Sequence, residues 1–153
     1  MTPPRHDRPR GEPAVQHPLP RPLTPQECWT QLRRQHEGRL GYTSVRGPRS
    51  VVRPYALRER SVVLRLPADL DAARCAEGQE VAFEVQDRLD GSSVADVAVV
   101  GRARVLDAGD ALSEDLPDEG WPDDLATRVL VVEVDDLRGT RRLVGSAPPA
   151  GGS

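Results

Sequence analysis

Apolar positions in this chain recur mostly at every second residue, the period of a half-buried β-strand. The clearest run is Ser61-Val62-Val63-Leu64-Arg65-Leu66, where Val62, Leu64 and Leu66 face one way and Val63 and Arg65 the other. Glu80 to Gln86 alternates with Val81, Phe83 and Val85 on one face. Val94 to Leu106 is the longest strand, and Gly101 in its middle predicts a bulge or a close backbone approach. Arg39 to Val45, Ser50 to Leu57 and Thr127 to Val134 are the other strong strands, with Leu137 to Val144 a trailing extended segment. Turns are marked by Gly47-Pro48 and by Arg58-Glu59-Arg60. Pro54 cannot donate a ladder hydrogen bond, so its place in the second strand predicts an edge or a bulge.

Helical signals are fewer. Thr24 is an N-cap candidate, Pro25 suits the first helical position, and Glu27 completes a capping box. Leu23 and Cys28 sit where a hydrophobic staple closes, and Cys28, Trp29 and Leu32 form one apolar stripe on a helix ending near Gly38. Asp69 to Glu77 predicts a short helix closed by Gly78, and Asp107 to Asp124 an acidic, irregular, solvated stretch. About six short strands, one capping helix and one crossover helix predict a mainly β domain, a closed or partly closed antiparallel barrel, over residues 23–144. Closure removes the sheet edges that a small domain must otherwise protect. Residues 1–22 and 145–153, poor in apolar side chains and rich in Pro, Arg or Gly, are expected to be disordered tails.

Composition narrows the function classes. The hydrophobic fraction of 37% is low for a globular chain, as disordered ends require. No stretch approaches the roughly 20 apolar residues of a membrane span. The first residues lack the apolar core of a secretory signal, and Cys28 and Cys75 form no Cys-x-x-Cys pair, so a cytoplasmic location is expected. A net charge of −3 disfavours nucleic acid as a partner. The chain contains no lysine, which excludes Schiff-base chemistry and a Walker-type phosphate loop. His6, His17 and His36 are scattered without zinc spacing, Asp87 to Gly91 lacks the ligand pattern of a calcium loop, and no nucleophile elbow is present, so no metal site and no catalytic residue is assigned.

Arg65 is the more informative residue. It interrupts an apolar strand, and a guanidinium there needs water or an anion. Two readings are open: a solvent-facing Arg on a half-exposed strand, or a phosphate clamp, since Arg matches phosphate bidentately. Arg53 and Tyr55 on the neighbouring strand are placed to share its cleft, Tyr55 offering a ring face or hydroxyl unless it packs in the barrel.

The order of these features resembles the small flavin-binding split-barrel proteins, the pyridoxamine 5′-phosphate oxidase-like group. The resemblance runs from Leu23 to about Leu143. It rests on the helix with Glu27-Cys28-Trp29, Gly38-Arg39-Leu40, Pro54, Val63-Leu64-Arg65, Val81-Ala82-Phe83-Glu84-Val85, Val100-Gly101-Arg102-Ala103, and Gly139 with Arg141-Arg142. It implies a split β-barrel, usually a homodimer, with flavin mononucleotide (FMN) in a groove between subunits. Arg65 would hold the phosphate, and the strand around Pro54 and Tyr55 would line the isoalloxazine. The chain departs from the pattern at Leu66, where the family has a phosphate-holding Thr, and at Pro67 to Asp71, where a Lys is replaced by acids. The second-strand Asn is absent, and Ala95-Asp96 stands where Trp-Ser is common.

Three functions follow from these readings. The first is an FMN- or deazaflavin-dependent oxidoreductase of a small organic substrate. The second is a non-catalytic split-barrel dimer with a degraded cofactor site and a binding or regulatory role. The third, an oligonucleotide-binding barrel, ranks last, because such grooves need a basic track and stacking aromatics and this chain has 3% aromatic residues.

Overall fold

A computed structural model describes residues 19–107 and 114–144. The disorder expected for 1–18 and 145–153 falls outside those residues. Among the described residues, seven strands and two helices run in the order β1 (Arg21–Pro22), α1 (Pro25–Arg34), β2 (Glu37–Ser44), β3 (Gly47–Arg58), β4 (Ser61–Pro67), α2 (Asp71–Cys75), β5 (Glu80–Arg88), β6 (Ser93–Asp107) and β7 (Thr127–Leu143). The hydrogen-bonded order is β1-β7-β4-β3-β2-β5-β6, and a further β6–β7 pairing closes the ring. All these pairings are antiparallel. Six strands therefore form a barrel and β1 adds to β7, with Arg21 opposite Arg141 and Pro22 opposite Thr140. Arg21 and Pro22 thus belong to the sheet, although the composition puts them with the tail.

The period-2 pattern decides which face is inside. Val62, Leu64 and Leu66 are fully buried in one core with Leu40, Phe83, Val97, Val99, Leu130 and Val132. Val63, Val129 and Val131 point the other way and form a smaller outer cluster with Leu116. Phe83 is completely buried, and a fully buried Phe contributes about 1.5–3 kcal/mol. The α1 capping box is present: Glu27 N donates to Thr24 Oγ1 at 3.1 Å, and Thr24 N donates to Glu27 Oε1 at 2.9 Å. The helix docks on β7 where Leu23 N donates to Gly139 O at 2.9 Å.

Four local expectations change. The first helix stops at Arg34 rather than near Gly38, because Gly38 lies inside β2. A Cβ there would stand 2.5 Å from Phe83 Cζ, so this glycine serves packing and not helix termination. The first hairpin turns at Val45-Arg46, one pair before Gly47-Pro48, and Ser44 Oγ accepts from Arg46 N at 3.0 Å to tie it. The second helix is shorter than Asp69 to Glu77. The two C-terminal segments form one strand, since Asp135 is absorbed as a bulge between Val134, opposite Gly101, and Asp136, opposite Val100. The bulge expected at Gly101 is there, and a Cβ on Gly101 would lie 1.9 Å from Glu133 O.

Candidate functional site

Pro54 marks the place where β3 changes partners. Residues up to Pro54 pair with β2, and residues from Tyr55 pair with β4. Pro54 has no amide hydrogen to give to either neighbour, which suits a residue at the switch. Arg65 lies one position beyond Leu64, the last β4 residue paired with β3. Its carbonyl is taken by a side chain instead: Arg53 Nε donates to Arg65 O at 3.1 Å.

From this switch both arginine side chains reach the segment 117–121. Arg65 stands on the outer face with Val63, and its Nη1 donates to Pro117 O at 3.1 Å. Arg53 Nη2 donates to the Glu119 carboxylate, an ion pair in which the two side chains are only 12% and 16% exposed. The Trp121 ring lies under the same guanidinium, 4.8 Å from Cζ to ring centroid. A planar cation stacked on an indole and paired with a carboxylate is well held. Gly120, at φ +72°, makes the reversal that sets Glu119 and Trp121 on either side, and Gly120 N donates to Asp118 Oδ1 at 2.9 Å.

Tyr55 is not part of this cluster. It is buried in the barrel, its ring edge-on to Phe83 with centroids 5.0 Å apart, and its hydroxyl donates to the Leu32 carbonyl near the end of α1. Burial, and then the nearby Asp87 carboxylate, push its pKa up. Of the four residues singled out in the sequence, Arg53, Pro54 and Arg65 come together and Tyr55 supports them from inside. Pattern reading missed Glu119 and Trp121, because the stretch from Asp107 to Asp124 read as a solvated acidic loop. Leu116 and Trp121 were the apolar signals within it. Leu116 is 8% exposed and packs on Val63, Val129 and Val131.

The donor set suits a phosphate. Each guanidinium offers up to five N–H donors, and both reach the segment 117–121. Leu66 is fully buried in the barrel core, so this position contributes nothing outside. The Asp71 carboxylate, which would oppose a phosphate nearby, accepts from the Tyr42 hydroxyl and lies 3.7 Å from Arg49 Nε. A separate groove of about 580 Å³ opens over β2, β5, β6 and β7, lined among others by Glu37, Arg39, Glu84, Gln86, Asp96 and Arg138. It holds none of the four residues. Several of its polar groups satisfy one another or near neighbours: Gln86 Nε2 donates to Asp96 Oδ1 at 2.8 Å, and Arg138 Nε to Asp136 Oδ2 at 2.8 Å.

Among the described residues, no three His, Cys, Asp or Glu side chains are gathered as for a metal ion. No helix among them is long and apolar enough to cross a membrane. No protein-family model matches the chain, and no curated protein matches it significantly. Solved structures do. An FAD-binding protein from Mycobacterium smegmatis is 24% identical, with a TM-score of 0.66 over 83% of this chain and 100% of the other. A Corynebacterium glutamicum protein provisionally assigned as a pyridoxamine 5′-phosphate oxidase is 17% identical, with a TM-score of 0.68 over 82% and 95%. An FAD-binding protein from Mesorhizobium loti is 18% identical, with a TM-score of 0.63 over 82% and 98%. With its six-stranded closed ring, its N-terminal helix and these neighbours, the chain has a split-barrel fold similar to theirs.

Proposed function

We propose that this chain binds a flavin nucleotide, FMN or a deazaflavin, through its Arg53–Arg65 pair and acts as an oxidoreductase of a small organic substrate. The observation that carries the reading is that Arg53 and Arg65 both reach the segment 117–121, where Arg53 grips a carboxylate. Fold neighbours described as FAD-binding proteins support it. Arg65 and Arg53 would hold the phosphate, and the strand at Pro54 would flank the ring. A bound flavin supplies the electron-transfer chemistry, and the chain's own side chains bind and orient it. A homodimer goes with this reading, and sedimentation velocity measures it.

The test is the visible spectrum of the purified protein, with thermal melting in added FMN, FAD and a deazaflavin. A flavin spectrum or a ligand-dependent rise in Tm is expected, and Arg65→Ala weakens binding by about 10–150-fold, the equivalent of a charged hydrogen bond of about 1.5–3 kcal/mol. A colourless protein whose Tm none of the three moves overturns the reading.

One observation favours a second function. The carboxylate held by Arg53 comes from this chain, no lysine assists the arginines, and Leu66 has no hydroxyl to offer. A split barrel with its cofactor seat filled by its own Glu119 would serve as a non-catalytic binding or regulatory protein. Tight stoichiometric flavin binding with NAD(P)H-dependent reduction removes that alternative.

A further inference from the structure

We infer that the segment from Leu116 to Trp121 is an intramolecular stand-in for the ligand, and that a phosphate-bearing molecule binds by displacing Glu119 and Trp121 from Arg53 and the Pro117 carbonyl from Arg65. The inference rests on the phosphate site proposed above and adds how that site is kept closed.

Several residues of the segment repeat contacts that a nucleotide would make. The Glu119 carboxylate supplies the anion for Arg53, the Pro117 carbonyl is an acceptor for Arg65, and the Trp121 ring is a flat aromatic face against a guanidinium. The Leu116 side chain anchors the near end on the outer cluster of Val63, Val129 and Val131. Gly120, at φ +72°, joins the carboxylate-bearing residue directly to the ring-bearing one. The hold is breakable. Arg53 grips the segment through an ion pair and a cation–π contact, Arg65 donates to the Pro117 carbonyl, and among the described residues no strand pairs the segment to the barrel.

The consequence is a closed and an open state, with the ligand binding only the open one. Apparent affinity is then reduced by the open fraction. An open state populated at about 1–10% masks about 10–100-fold of intrinsic affinity. Glu119 thereby sets a threshold. A ligand must carry enough negative charge to replace a tethered carboxylate that competes at high effective concentration.

The experiment uses the full chain with Trp29→Phe, so that Trp121 is the sole fluorophore of its kind. Inorganic pyrophosphate and FMN are titrated separately at constant ionic strength, following Trp121 emission. Binding is also measured by calorimetry on the Glu119→Gln form. Both ligands are expected to shift Trp121 emission, and Glu119→Gln is expected to bind both about 10–100-fold more tightly. If FMN binds both forms equally and leaves Trp121 unmoved, the stand-in is overturned and flavin binding survives. If pyrophosphate moves Trp121 and gains from Glu119→Gln while FMN binds neither form, the stand-in holds and the flavin reading falls. If neither ligand acts on either form, both fall. Should Glu119→Gln fail to fold, the Trp121 signal with native Glu119 decides alone: a shift supports the stand-in, and binding without one overturns it.

Discussion

Arg53 donates from Nε to the main-chain oxygen of Arg65 at 3.1 Å, one residue past the last backbone pair between their strands. A side chain thus continues a ladder that the backbone abandons at Pro54. The same guanidinium reaches on to Glu119, so one residue ties β3, β4 and the segment after β6.

Truncating Arg53 should therefore be costly. Arg53→Ala leaves the Glu119 carboxylate mostly buried without its partner, and a loss of about 3–5 kcal/mol is expected in urea denaturation. The double change Arg53→Gln with Glu119→Gln recovers much of it, because neither charge then remains. A single-variant loss under about 1 kcal/mol shows that the pair is screened as surface pairs are.

Gly101 is expected to tolerate no side chain. Its Cβ would lie 1.9 Å from Glu133 O, which is backbone and cannot swing away. Gly101→Ala should cost at least about 3 kcal/mol or block folding. At Gly91, where a Cβ meets nothing within 4 Å, the same change should stay within about 0.5 kcal/mol. Similar melting points for the two variants would contradict the bulge geometry.

Tyr55→Phe separates structure from ligand binding. It leaves the Leu32 carbonyl without the phenol donor, and a stability loss of about 1–2 kcal/mol is expected. Flavin affinity should not move, since the ring faces Phe83 and not the arginines. A large drop in affinity with unchanged stability would place Tyr55 at the ligand.

Alkaline titration reports both tyrosines of the chain. Burial, reinforced by Asp71, pushes Tyr42 up to about 12, and burial with Asp87 raises Tyr55 further. A raised folded pKa means that the folded state keeps its protons longer. This contribution to stability is whole below the unfolded value of about 10 and is lost as pH rises through the folded value. Ultraviolet titration should thus show no phenolate near pH 10 in the native protein, and both phenolates near that pH in urea. A native phenolate near pH 10 would mean that one of the two hydroxyls is not held as described.

Much of the barrel was legible in the chain because a strand's side chains alternate, and burial of one face fixes which residues turn inward. Val62, Leu64 and Leu66 against Val63 and Arg65 needed nothing beyond their spacing. The capping box was equally local, since Thr24 and Glu27 satisfy each other's amides within one turn. Gly101 announced its bulge by lacking a side chain. Gly38 did the same but was ambiguous, since a glycine that ends a helix and a glycine that admits Phe83 look alike until Phe83 is in place.

The candidate site was legible only in part. Arg65 carried a visible signal, a charge interrupting an apolar strand, and Arg53 was placed beside it only by lying on the neighbouring strand. Their joining depends on where β3 changes partners, and that is set by closure of the whole ring. Glu119 and Trp121 lie 66 or more positions along the chain from Arg53. No period links them, because a loop's contacts follow from the surface it covers and not from its own pattern. The sequence by itself determined a β-barrel with a capped helix and two arginines on its surface, since those depend on neighbours in the chain. Only the tertiary structure decided that Tyr55 packs inside, that Arg53 closes on a carboxylate and an indole of its own chain, and that Arg65 donates to the Pro117 carbonyl, since those contacts depend on distant segments meeting in space.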